Sequence, residues 1–225
     1  MIEMAPSWSA AYPGASIGVL AMRGIANPAS HPALDERKQA LEKSLRAQYT
    51  SYDRASLRTI PVLAAYDTYY GRFDKTYHVQ LQLETLVFKN KPIPQVAALV
   101  EAMFMAELKN LLLTAGHDLE QIEPPVRVDV AGGTESYVRI NGEEQVLKAG
   151  DMLIADARGI LSCILYGPDR RTRIQPETTG ALFTVYAPPG ISVEAVRQHL
   201  ADLRDNAALV APGATVVQLE VFEAR

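Results

Sequence analysis

The chain has a single cysteine, Cys163, and a single tryptophan in 225 residues. One thiol can form neither an internal disulfide nor a multi-cysteine zinc site. Its surroundings, ILSCILY, are apolar, which marks a buried core thiol rather than a reactive nucleophile. No apolar run approaches the roughly 18 residues that a membrane span requires. The opening MIEMAPSWSAAYPG lacks a basic segment leading into an apolar one, so it does not read as a secretory signal. An excess of basic residues is also missing: 22 Lys and Arg stand against 26 Asp and Glu, a net charge of −4. No global positive field draws such a chain to nucleic acid, and any RNA contact has to come from a local patch. These absences lead to the expectation of a soluble, cytoplasmic protein without membrane contact.

Familiar catalytic signatures are missing too. There is no GxGxxG after a strand, no phosphate loop, no HExxH and no GxSxG. The histidines, His31, His78, His117 and His199, lie far apart, and none has a second histidine at ligand spacing. Neither a metal site nor a cofactor is expected. His117 and Asp118 are adjacent, and adjacent side chains in a turn rarely face each other, so a structural turn is the expectation there.

What is present is 48% hydrophobic residues, ample for a core. Ile17–Met22 alternates weakly and ends at Gly24, which predicts a strand and a turn. Leu34, Leu41 and Leu45 fall at helical spacing within Pro32–Tyr49, with Ser30 as the expected cap. A second helix is predicted over Thr59–Tyr70, with Pro61 tolerated in its first turn. His78–Asn90 reads as helical, although Val79, Leu81 and Leu83 alternate like a strand. A long buried helix is predicted from Gln95 to Leu113.

After Pro125 the pattern changes to short strands joined by Gly turns, with NGEE as a tight hairpin turn. An amphipathic helix is predicted over Ser192–Asn206, and ATVVQLEVFE closes the chain as a strand. The order argues an α+β class: a mixed β-sheet or sandwich core packed with helices. Residues 1–225 form a single expected domain, helix-rich over 1–118 and strand-rich over 119–225.

Two clusters invite a functional reading. Tyr66, Tyr69 and Tyr70 could stack bases, although half-buried packing uses the same spacing. Arg170, Arg171 and Arg173 concentrate charge in one loop, suited to phosphates or a carboxylate. The alternative is a solvated loop whose arginines pair with Asp169 and Glu177. Nearby, Asp156 and Arg158 flank Gly159 as a turn with a local ion pair.

The pieces YPGASIGVLAMRGIAN, KNKPIPQ, GHDLEQI, LIADARG and RTRIQPETTGALF, taken in order, resemble the B3/B4 domain of the phenylalanyl-tRNA synthetase beta subunit. The resemblance implies that fold, and tRNA or aminoacyl-tRNA as the partner. In the synthetase this domain is implied to hydrolyse the ester of tyrosine mischarged onto tRNA for phenylalanine. Carried over by spacing, the family's pocket falls on five positions here. Its helix Asn stands at Phe104, beside Met103 where the family has Thr. Its His stands at Ala115, its floor Gly at Leu165, its hydroxyl-reading Glu at Thr184 and a neighbouring Ala at Tyr186.

Every one of these positions departs from the family. Tyrosine editing is therefore not expected, and three functions stay open. One is a trans-acting aminoacyl-tRNA deacylase with an altered amino-acid pocket, reading a polar or small side chain through Thr184 and Tyr186. The second is a non-catalytic RNA-binding module. The third is a binder of an amino acid or small metabolite in the former editing cavity.

Overall fold

The computed structural model describes residues 2–225. The chain begins with β1 (Ile2–Met4), α1 (Pro6–Ala11) and β2 (Ser16–Arg23). A helical stretch comes next: α2 (Pro32–Gln48), α3 (Arg54–Leu57), α4 (Pro61–Gly71), α5 (His78–Phe88) and α6 (Ala98–Asn110). It leads into β3 (Leu113–Asp118), a 3-10 turn over Leu119–Gln121, β4 (Val126–Val130), β5 (Ser136–Val138) and β6 (Glu144–Val146). The chain closes with β7 (Met152–Asp156), β8 (Gly159–Cys163), β9 (Gly167–Pro168), β10 (Gly180–Ala187), α7 (Val193–Val210) and β11 (Thr215–Glu223). These elements make an α+β fold.

Two sheets carry the core. A four-stranded antiparallel sheet runs β11-β2-β10-β3, and a five-stranded mixed sheet runs β1-β4-β7-β8-β9. In the first, β2 and β10 are buried almost throughout, which explains why SIGVLAMR and GALFTVYA read as near-continuous apolar runs. Helices α6 and α7 pack together, and α7 lies across β2. That approach depends on Gly18: a Cβ there would stand 2.5 Å from Val196 Cγ1.

Helix α4 joins the two sheets. The hydroxyl of Tyr66 donates to the Tyr186 carbonyl and accepts the Leu113 N–H, at the end of the β3–β10 ladder. Tyr69 donates to Asp151 Oδ1 at 2.7 Å and accepts the Met152 N–H at 2.7 Å, at the start of β7. Tyr70 donates to the Ile164 carbonyl at 2.6 Å. All three rings are buried, and Tyr66 stacks on Tyr77 with centroids 3.9 Å apart. The base-stacking reading of the tyrosine stripe is overturned. These rings are core, each with its hydroxyl satisfied as burial demands.

Local expectations meet four corrections. His31, not Ser30, caps α2, and its side chain makes no cap bond; Pro32 at the first position needs no donor partner. Helix α6 stops at Asn110 instead of Leu113, because Leu111 takes a left-handed conformation at φ 60°. A glycine normally marks such an end, and a leucine gives no warning of it. The segment LTAGHD is a fully buried strand, so His117 and Asp118 do not sit in a turn. Finally, Asp156 accepts the Arg158 and Gly159 N–H groups but pairs its charge with Arg171, while Arg158 pairs with Glu123. Ser192 does cap α7, accepting the Ala195 N–H.

Buried carboxylates hold the loop between α5 and α6. Glu42 of α2 accepts the Ile93 N–H at 2.7 Å. Glu101 of α6 accepts the Val96 N–H at 2.8 Å and pairs with Lys38 at 2.6 Å. The loop is thus fixed against the helices, where it forms one wall of a groove.

Candidate functional site

Antiparallel pairing sets Ala115 opposite Thr184 and Leu113 opposite Tyr186. All four are buried. The phenol of Tyr186 lies 2.7 Å from Ser162 Oγ on β8. Ser162 Oγ lies 3.1 Å from His117 Nε2, and His117 Nδ1 lies 2.8 Å from Thr172 Oγ1, which donates to Asp169. Since Thr172 gives its only proton to Asp169, it accepts from Nδ1–H, and Nε2 then accepts from Ser162. Burial pushes His117 down to about 3, helped by the Arg171 charge, so the ring is neutral. This chain from Ser162 through His117 and Thr172 to Asp169 is buried in the core and cross-links β3 to β8 and to the Arg loop. Cys163 is buried as well, and burial pushes its thiol up.

The open site lies on the other side of β3. A cleft of about 590 Å³ runs between α6 and the turn joining β8 to β9. Val100, Met103, Phe104, Leu113, Leu165 and Ile174 give it apolar walls. Gly116 keeps it deep, because a Cβ there would meet Ile174 Cδ1 at 2.8 Å and Met103 Sδ at 3.3 Å. A second, apolar groove of about 420 Å³ continues past Phe104, between α5 and the loop at Pro92–Pro94. His78, Gln82 and Phe104 line both. Of the five positions traced from the family pocket, Phe104 and Leu165 therefore face the cleft, whereas Ala115, Thr184 and Tyr186 do not line it.

Arg139 and Arg173 line the cleft, and Lys75 sits 4.8 Å over the ring of Tyr166, another lining residue. The Arg loop divides its three members. Arg171 is tied down: it donates to the Gln121 carbonyl at 2.6 Å and pairs with Asp156 at 2.9 Å and Asp169 at 3.6 Å. Glu177, the alternative partner expected, is not among its pairs. Arg173 donates to the Arg170 carbonyl and to Gln175 while facing the cleft. Arg170 is exposed beside Gly142 of the β5–β6 hairpin, to which its N–H is anchored through the Val138 carbonyl.

Sequence reasoning missed Arg139, His78, Gln82 and Glu107. Glu107 is only 2% exposed yet lines the cleft, and burial holds its carboxyl up at about 8. Its position on the apolar face of α6 is the one signal that could have found it: an acid where the helix period demands a core residue. Burial also lowers His78 and pushes His199, 2.7 Å from Thr114 Oγ1, to about 4. No cluster of three or more His, Cys, Asp or Glu able to hold a metal occurs among the described residues. No helix among them is long and apolar enough to cross a membrane.

Comparison with known proteins bears on this site. The phenylalanine–tRNA ligase beta subunit of Mycoplasma genitalium is 28% identical over 69 residues, which is 31% of this chain and 9% of the relative. The crystal structure of an N-terminal fragment of the phenylalanyl-tRNA synthetase beta subunit from Pyrococcus horikoshii superposes with a TM-score of 0.49 at 14% identity. That superposition covers 96% of this chain and 50% of the fragment. The chain thus spans a small part of the Mycoplasma relative and half of the Pyrococcus fragment. The model of the B3/4 domain matches residues 65–209, which takes in most of α4, the whole of α6, all of α7 but its last residue, and every strand bordering the cleft. The chain therefore belongs to the B3/4 domain family.

Proposed function

We propose that this protein binds the aminoacylated 3′ end of a tRNA in the cleft beside α6. The amino acid lies against the apolar walls, and Arg139 and Arg173 meet the phosphates of the terminal nucleotides. The observation that carries this reading is the cleft itself: about 590 Å³, apolar inside and guanidinium-bearing at its edge. That volume suits a small-molecule-sized moiety, and bidentate guanidinium donors suit phosphate. Membership of the B3/4 family and similarity to a ligase subunit named for tRNA support the same partner. Because Thr184 and Tyr186 lie outside the lining, the walls favour a large apolar side chain over the polar or small one the sequence suggested.

Hydrolysis of the ester is the finer activity of the same reading. Water would attack the ester carbonyl and the bond to the tRNA oxygen would break; one water proton goes to that departing oxygen, which leaves as the ribose hydroxyl, and the other to solvent, so the amino acid is released as its carboxylate. An ester is already activated, so positioning and electrostatic help suffice for a large effect.

The test uses filter retention of charged and uncharged tRNA, together with ester loss from a panel of mischarged tRNAs. The expected result is tighter retention of the charged form, weakened by Arg173→Ala. Accelerated ester loss on any panel member adds the deacylase activity. Absence of binding to either form of tRNA removes the reading.

A further inference from the structure

Glu107 is the one acidic side chain lining the cleft among the described residues. It differs from the other buried acids of the helical layer. Glu101 has Lys38, Glu42 has Arg46 and Glu84 has Arg54, each within ion-pair reach. Glu107 has no such cation among the described residues. Its one donor there is the Thr114 N–H, 2.8 Å from Oε1. A carboxylate taken out of water without a counter-charge is costly, and the cost is recovered when a cation arrives.

We propose that the Glu107 carboxylate reads the α-ammonium of the aminoacyl group that occupies the cleft. The inference rests on the aminoacyl-end reading above and adds the group that recognises the amino acid as an amine. Val100, Met103, Phe104 and Leu165 stand along the same cavity to take the side chain, and Arg173 stands at the nucleotide end.

Binding then moves a proton. In the empty cleft burial keeps Glu107 mainly protonated at pH 7, and an ammonium beside it favours the ionised form. Other titratable groups face it from each packed element. Tyr66 and Tyr70 of α4, with Tyr77 ahead of α5, are phenols raised by burial. His78 of α5 and His199 of α7, which reaches β3 through Thr114, are both lowered. Arg139 and Arg173 border the same cleft without pairing with Glu107. None of the phenols or imidazoles offers a counter-charge at pH 7, so the ligand has to bring it.

The test is calorimetric titration of the full chain with 3′-leucylamido-3′-deoxyadenosine, whose amide is not hydrolysed, and with its N-acetyl counterpart. Both run at pH 7 in two buffers of different ionisation enthalpy. The free amine is expected to bind at least about tenfold tighter, about 1.4 kcal/mol, and to release close to one proton. Glu107→Gln, which keeps an acceptor for the Thr114 N–H, should equalise the two probes and abolish the proton release, with an unchanged circular dichroism spectrum. Equal affinities in the wild type, or binding without proton release, overturn the inference and leave the cleft reading standing. If neither probe binds, that reading fails and takes this one with it. Free L-leucine is a third titrant. Affinity equal to the nucleoside probe, lost in Glu107→Gln, supports the ammonium contact while moving its source from tRNA to the free amino acid.

Discussion

Leu113 gives its backbone N–H to the hydroxyl of Tyr66 at 2.8 Å, across 47 positions of sequence. The same hydroxyl donates to the carbonyl of Tyr186, the residue paired with Leu113 in the ladder. One phenol thus completes the end of the buried β3–β10 ladder, where β3 borders the open cleft. Tyr66→Phe removes both bonds and keeps the ring. Each buried backbone group left unpaired costs about 1–3 kcal/mol, so the variant should lose about 2–6 kcal/mol in urea unfolding. A loss within about half a kcal/mol would mean that water or the ladder itself satisfies these groups.

The two arginines of the loop should separate by phenotype. Arg171→Ala strips Asp156 and the Gln121 carbonyl of their partner, so its effect should be on stability. Arg173→Ala, facing the cleft, should weaken tRNA retention and lower the slope of log affinity against log salt by about 0.7–0.9. The measurement is retention across a salt series beside thermal melting of each variant. A shallower slope for Arg171→Ala with an intact melt would reverse the assignment.

Stability should fall as the solution is made alkaline from about pH 6.5 to about pH 8. Glu107 has its folded value raised to about 8 from an ordinary 4.5, so the native state holds a proton that the unfolded chain has lost. That contribution weakens as pH rises through this window, by about 2 kcal/mol in all. His117 and His199 act in the opposite sense, and only at lower pH. Lowered to about 3 and about 4, they stay neutral when folded, so their contribution is complete above the ordinary 6.5 and shrinks below it. Urea unfolding at the two ends of the window should show the alkaline decline in the wild type and a flatter profile in Glu107→Gln. Parallel declines would remove Glu107 as the cause.

Gly18→Ala tests the seat of α7 on β2. The added methyl would stand 2.5 Å from Val196 Cγ1, 3.2 Å from Val185 Cβ and 3.3 Å from Leu200 Cδ1. Relief requires the helix to shift, at about 1–3 kcal/mol. A melting temperature equal to the wild type would show that α7 yields freely.

Periodicity carried the helices well. Leu34 and Leu45 in α2, and Val196, Leu200 and Leu203 in α7, are buried as their spacing predicts. The end of α6 was not legible, since a left-handed leucine is held by contacts from distant segments: Tyr77 donates to the Leu111 carbonyl from ahead of α5. Nor was β3, because GHD carries turn-forming residues, and only pairing with β10 makes them a strand. Of the five positions carried over from the family pocket, Phe104 and Leu165 line the cleft and Ala115, Thr184 and Tyr186 do not; that division was not legible, because which side of a strand meets the cleft is not written in its alternation.

By itself the sequence determined the α+β class, the helix faces, the B3/4 resemblance and the local wealth of arginine in one loop. These are properties of short stretches, decided by period, capping and charge. Tertiary structure alone decided that the tyrosines are core, that Arg171 is tied down while Arg173 faces a cleft, and that Glu107 is buried without a cation. Each of those depends on which distant segments meet. The cost of an unpaired charge or the value of a satisfied hydroxyl arises only once water has been excluded between them.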